Sequence, residues 1–342
     1  MARALFPILV CGGVAWSCAS TARPTPQTAR IPPAPTLSAA PGTAPGATAT
    51  QSVLEDPLGE DRHLSGVHQL TLDGHACVSP RPSPDGTMVA YALQPTPLAA
   101  WRVALVTHDG RPSGVLALDG AHTLDPSWTA DGTQVLVAST QRNPAGTPPD
   151  GLDVLLMSVT GTTALDVVTG PGMDAQPLAL GGGEVLYVHQ DPHGAETILV
   201  RQADGTSRPL TPGGAPALSP DGTRLVFRRL TSDGLTAELW EHPLPSGPER
   251  QLTALGALSW APAFHPSGTK VIFASNARPN SRVPGDNFDL YVLDLRTARV
   301  ERVTYADGPD STPAFSPDGH VLYWTSARQG GRNQLFAATW MD

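Results

Sequence analysis

One five-residue phrase recurs along the chain: Ser83-Pro84-Asp85-Gly86-Thr87, Thr129-Ala130-Asp131-Gly132-Thr133, Ser219-Pro220-Asp221-Gly222-Thr223, His265-Pro266-Ser267-Gly268-Thr269 and, shorter, Ser316-Pro317-Asp318-Gly319. A worn copy, Leu180-Gly181-Gly182-Gly183, stands between the second and third of these. The repeat glycines at 86, 132, 182, 222, 268 and 319 are spaced by 46, 50, 40, 46 and 51 residues. Each phrase carries the chemistry of a tight turn: Pro presets φ, Asp tolerates the next position, and Gly supplies the left-handed residue that feeds a strand. A short segment precedes each turn, as Pro313-Ala314-Phe315 does, and an apolar run such as Val321-Leu322-Tyr323-Trp324 follows it. A third segment comes next, and a fourth ends in Leu-Thr or its like, as at Leu210-Thr211 and Leu252-Thr253. Four short strands in each unit of roughly 40 to 50 residues is the arithmetic of a propeller blade.

The two ends complete the count. The chain stops at Asp342, after the third strand of unit six, and the missing fourth strand reads at the other end as Val67-His68-Gln69-Leu70-Thr71. Such a strand closes the ring and removes an exposed sheet edge. The expected fold is therefore all-β: a six-bladed β-propeller over residues 67–342, closed by an N-terminal strand that completes the last blade. Composition agrees. Thirty-six prolines, 34 glycines and only 15% charged residues leave little room for long helices. A net charge of −9, with Lys270 the only lysine, lacks the basic face that nucleic-acid binding needs.

Ahead of the propeller, residues 1–17 read as an export signal: Arg3, then an apolar run from Leu5 to Ala15 that is too short to span a bilayer. Three cysteines, Cys11, Cys18 and Cys77, cannot build a disulfide framework. Ala15-Trp16-Ser17-Cys18 resembles the bacterial lipoprotein lipobox, which makes Cys18 the acylated first residue of the mature chain; cleavage near Ser20 is the alternative. No Asp follows Cys18, which by the same resemblance favours the outer membrane and a periplasmic location. Residues 18–66, rich in Pro, Ala and Thr, lack the apolar side chains to offset chain entropy, so they read as a disordered tether.

The repeats resemble those of the TolB propeller family, a WD-like unit of Pro-small-aromatic-Ser-Pro-Asp-Gly, then aliphatic-aromatic, then a strand ending in Leu-Thr. Residues 311–326 come close to that ideal; unit three, which lacks Pro-Asp, departs from it, as does the absence of an α/β domain ahead of the propeller. The resemblance implies that each blade's first strand lines a central channel and that ligands use the face opposite the Pro-Asp-Gly turns. That face carries two long loops, 141–151 in blade two and 276–287 in blade five, with Arg142, Asn143, Arg278, Asn280 and Arg282. Asp125, Asp174 and Asp310 enter the inner strands, and Arg328 and Arg332 come from the blade-six loop. These ten residues make an acidic mouth with an arginine rim, suited to a polar or charged partner.

Catalytic patterns are poor. No nucleophile elbow, zinc helix, phosphate loop or Cys-x-x-Cys pair is present, so no catalytic residue, metal or cofactor is assigned. The segment His189-Gln190-Asp191-Pro192-His193 reads as a solvated loop rather than a metal site, and Cys77 as a small core residue. Trp128, Trp260, Phe264 and Phe315 recur near one repeat position and read as packing between blades. The expected function is non-catalytic binding of an envelope protein or peptide, of the Tol-Pal type by resemblance, by a monomer that touches the membrane only through its lipid anchor. A propeller lyase or hydrolase with a channel metal or acid-base pair is the rival. It predicts convergence of His122, His189 and His193.

Overall fold

The computed structural model describes residues 53–55, 62–71, 74–143, 146, 151–161, 163–277, 287–329 and 331–342. Cys18, Arg278, Asn280 and Arg282 lie outside the described residues, as does the whole 1–52 segment. Six antiparallel sheets follow one another in sequence. In blades one to four the strands run inner to outer: Ala76–Pro82, Met88–Gln94, Arg102–Thr107 and Pro112–Leu116 for blade one, with blades two, three and four repeating the order from Thr123, Met173 and Gly214. Blade five starts at Ser259–Phe264 and blade six at Asp310–Phe315.

Second strands such as Val135–Ala138 and Val271–Ala274 are apolar and buried on both faces, because each sheet is covered by a neighbouring blade on either side. The core accordingly lies between blades. Val103 and Leu105 of blade one pack with Val135, Val137, Leu155 and Met157 of blade two, and Trp324, Phe336 and Leu322 of blade six with Ile272 and Leu290 of blade five. Outer strands are short and partly exposed; that of blade four is only Arg250–Gln251, which leaves little edge for another chain to pair with.

The ring closes as the sequence predicts. Leu64–Gln69 pairs antiparallel with Gln334–Trp340, aligning Leu64 with Trp340 and Gln69 with Phe336. The closing strand starts at Leu64 rather than Val67, because Gly66 forms a bulge (φ 68°) that returns Leu64 to the core face. The expected tether, 18–66, also contributes structure: Val53–Glu55 pairs parallel with Arg299–Arg302 and gives blade five a fifth strand. No helix among the described residues is long and apolar enough to cross a membrane.

Candidate functional site

The inner strands share an irregularity that decides what the channel presents. Each slips register by a two-residue bulge: after Val78, Leu124, Ala175, Gly214, Trp260 and Ser311. The first bulge residue is left-handed in every blade, with φ between 45° and 58° at Ser79, Asp125, Gln176, Ala215, Ala261 and Thr312. The second is always proline: Pro80, Pro126, Pro177, Pro216, Pro262 and Pro313. Proline has no N–H to satisfy, which suits a residue on the free inner edge of a sheet. Each left-handed non-glycine residue costs on the order of 1 kcal/mol, so its repetition six times marks an arrangement that the packing of the blades over-determines. Amides at the bulges are tied across blades. Ala215 N–H donates to Gln176 Oε1 (2.7 Å) and Ser79 N–H to Thr325 Oγ1 (3.1 Å).

This geometry separates the three aspartates that the sequence grouped. Asp125 occupies the bulge position and lines the channel, where burial pushes its carboxyl up to about 6 although Arg81 and the Gln176 amide pull the other way. Asp174 and Asp310 stand two residues earlier in their repeats, at strand starts, and turn into the protein. Asp310 is fully buried; it accepts from Arg328 Nη2 (2.9 Å) and Trp324 Nε1 (3.3 Å), while Arg328 lies over the rings of Trp324 and Phe336. Asp310 and Arg328 are thus internal partners instead of parts of a rim. Asp174 accepts from His189 Nδ1 (2.8 Å), and burial raises its pKa against that bond. Arg332 remains partly exposed on the loop face.

Arg142 and Asn143 border an open cleft of about 470 Å³ between blades two and three, on the face that carries the loops between second and third strands. Asp153, Gly170, Gly172, Gln190 and Asp191 complete much of its wall. Arg142 clamps Asp166 through Nε (2.9 Å) and Nη2 (2.5 Å), an exposed bidentate pair. Asp153 is held by the Gly170 amide (3.1 Å), and its pKa is raised, first by burial and then by the neighbouring Asp166. Gly172 has φ 109°, and a Cβ there would stand 2.7 Å from the His189 ring, so glycine allows the histidine to reach Asp174. Asp191 caps its own loop through the amides of His193 (2.8 Å) and Ala195 (2.9 Å). His189 Nδ1 and Asp191 Oδ1 are therefore committed to local bonds, and no group of three His, Cys, Asp or Glu among the described residues is placed to hold a metal.

Trp128, Phe264 and Phe315 do share one repeat position and bridge blades; Trp128 Nε1 donates to Arg81 O of blade one (2.8 Å). Trp260 stands four residues earlier than Phe264, beside the bulge, and lines the channel. Sequence reasoning missed Arg81, Gln176 and Arg228, which share that lining. Arg81 carried a readable signal, a charged residue where the aligned positions hold Ser127, Leu178, Ala217, Ala263 and Ala314. Cys77 is buried in the core.

Residues 215–341 match the PD40 family, described as the TolB beta propeller domain. A TolB homologue of Chlorobium luteolum is 32% identical over 117 residues, covering 34% of this chain and 24% of the homologue. The match thus spans about a quarter of that relative's length. TolB of Acinetobacter baumannii superposes with TM-score 0.55 at 17% identity, over 78% of this chain and 64% of that one. Oligogalacturonate lyase of Vibrio parahaemolyticus gives 0.54 at 11% identity, over 82% and 96%. Both structural likenesses are of fold. Repeat and ring together make this chain a six-bladed β-propeller, of which residues 215–341 are similar to the TolB beta propeller domain.

Proposed function

We propose that the protein is a non-catalytic propeller of the bacterial cell envelope, tethered through Cys18, that binds a protein or peptide partner on its loop face. The observation that carries this reading is the cleft between blades two and three, a concave polar surface on the face opposite the repeated turns. Asp153 and Asp191 offer acceptor oxygens there, and the one lining arginine, Arg142, is already paired with Asp166, so the cleft suits a donor-rich segment of the partner. The TolB homologues supply the family context, and the lipobox-like Cys18 supplies the address. The proposal also assigns Arg332 and, from the sequence, Arg278, Asn280 and Arg282 to partner binding.

Site-specific photocrosslinking in cells tests the proposal. A photoreactive residue at position 143, on the cleft, gives a discrete adduct, and one at position 204, in an exposed turn on the opposite face, does not. Asp191→Asn, which keeps the Oδ1 acceptor for the His193 and Ala195 amides but removes the charge offered to a donor-rich segment, reduces that adduct several-fold without changing the fold. Equal adducts from both positions, or none from either, would sink the proposal. The oligogalacturonate lyase likeness supports a second reading, in which the purified chain cleaves acidic polysaccharide to unsaturated products; a spectrophotometric assay for those products separates the two.

A further inference from the structure

Three side chains that line one chamber of the channel each carry a buried polar atom with no hydrogen-bond partner among the described residues: Arg228 Nε, Trp260 Nε1 and Asp125 Oδ2. They come from blades four, five and two, so nothing local in the sequence brings them together. A buried polar atom left unbonded costs about 1 to 3 kcal/mol, and three facing one small space point to a shared occupant.

The chamber is built around these groups. Arg228 is 7% exposed; its Nη2 is held by Glu196 Oε2 of blade three, which fixes the guanidinium and leaves Nε–H without a partner. Gly214 makes room for that pair, since a Cβ there would fall 2.8 Å from Arg228 Nη2 and 2.7 Å from Glu196 Oε2. The Trp260 ring packs edge-on to Phe288 (5.9 Å, 79°), so its N–H direction is set by the core. Arg81 stands on the same lining, with Nη1 bonded to Pro80 O (2.9 Å). Indole and guanidinium nitrogens only donate, whereas Asp125 Oδ2 only accepts when ionised. Donors therefore outnumber acceptors. The cavity measures about 40 Å³, room for a ligand of a few heavy atoms.

We infer that this chamber binds a small hydroxycarboxylate of the size of glycolate. The ligand's carboxylate oxygens accept from Arg228 Nε–H and Trp260 Nε1–H, Arg81 adds favourable charge, and the hydroxyl donates to Asp125 Oδ2. The site is separate from the cleft between blades two and three, and stands or falls independently of partner binding there.

Titration of the full chain, labelled with ¹⁵N at its seven tryptophans, reads the inference directly. Glycolate shifts one indole N–H resonance saturably, that resonance is missing from Trp260→Phe, and acetate, lacking the hydroxyl, binds roughly tenfold more weakly. Asp125→Ala abolishes the preference for glycolate over acetate, and Trp260→Phe weakens both ligands about tenfold by calorimetry. Should Trp260→Phe fail to fold, the Asp125→Ala comparison alone decides. If neither acid shifts an indole saturably at millimolar concentration, or the preference survives Asp125→Ala, the inference is overturned and the chamber holds water only.

Discussion

At the scale of single residues, the threonine just past the outer strand of blades four, five and six explains why Leu-Thr recurs there. Thr71, Thr253 and Thr304 accept, through Oγ1, the backbone N–H of Leu335, Leu239 and Leu290 on the third strand (3.0, 2.9 and 2.9 Å). Thr253 also donates to Glu238 Oε2 (2.6 Å), with both residues buried. Thr253→Val keeps the shape and removes the hydroxyl, leaving an amide and a carboxylate short of a partner, so it costs about 2 to 3 kcal/mol, read from the urea midpoint. Asp125 behaves differently. Its folded-state pKa, about 6, lies above the ordinary 3.8, so between those values the folded chain holds a proton that the unfolded chain has lost. Stability from this group therefore rises as pH falls from 7 towards 4. Asp125→Asn has no such titration; across that window the wild type gains roughly 2 to 3 kcal/mol relative to the variant in denaturation measured at each pH.

At the scale of elements, the repeated turns form a ring of contacts on the face opposite the cleft. The turns of blades one, four and six are tied by their own side chains: Ser83 Oγ donates to Asp85 Oδ1 (2.5 Å), which accepts from the Thr87 amide (3.1 Å), and the same bonds recur around Asp221 and Asp318. A Cβ added to four of the turn glycines would meet the proline of the preceding blade's turn: Gly86 with Pro317, Gly132 with Pro84, Gly268 with Pro220, Gly319 with Pro266. Gly182 and Gly222 meet nothing within 4 Å, since the turns before them carry Ala130 and Gly181 where the others carry proline. The worn third copy therefore interrupts the ring at blades two to four. Ala130 sits in a turn with the same closing bond as its relatives, Gly132 N–H to Thr129 O at 2.9 Å. Ala130→Pro should then stabilise the protein by about 0.4 to 1 kcal/mol, chiefly by restricting the unfolded chain, and a rise in Tm checks it.

At the scale of the whole molecule, stability depends on closing the ring with residues far apart in sequence. Leu64 and Leu70 enter the cores of blades five, six and one; Thr71 Oγ1 bonds Gln334 Oε1 (2.7 Å), and His63 stacks on Trp340 with ring centres 5.0 Å apart. Ser65 and Thr339 face each other across this seam, both on its solvent side. Joining them as Ser65→Cys/Thr339→Cys closes a loop of almost the entire propeller. The oxidised form should melt well above the reduced one, by several kcal/mol of stability, if unfolding begins at the seam. Equal melting of the two forms would place the first opening elsewhere.

Blade number, strand order and the closing strand were legible in the chain because they rest on local chemistry: turn residues at fixed offsets and apolar runs between them. The candidate sites were legible only in part. Arg142 and Asn143 border a cleft between blades two and three, whereas the loop lengths suggested walls at the channel mouth, and Asp310 and Arg328 neutralise each other inside blade six, a pairing that single-residue reasoning cannot see. Asp125 shares a repeat position with Ser79 and Ala215 yet faces a lumen whose charges come from other blades. Sequence by itself therefore determined the periodic parts, since period is a property of neighbours along the chain. Only the tertiary structure decided which side chains meet on the axis, because ring closure sets those distances through all six blades at once.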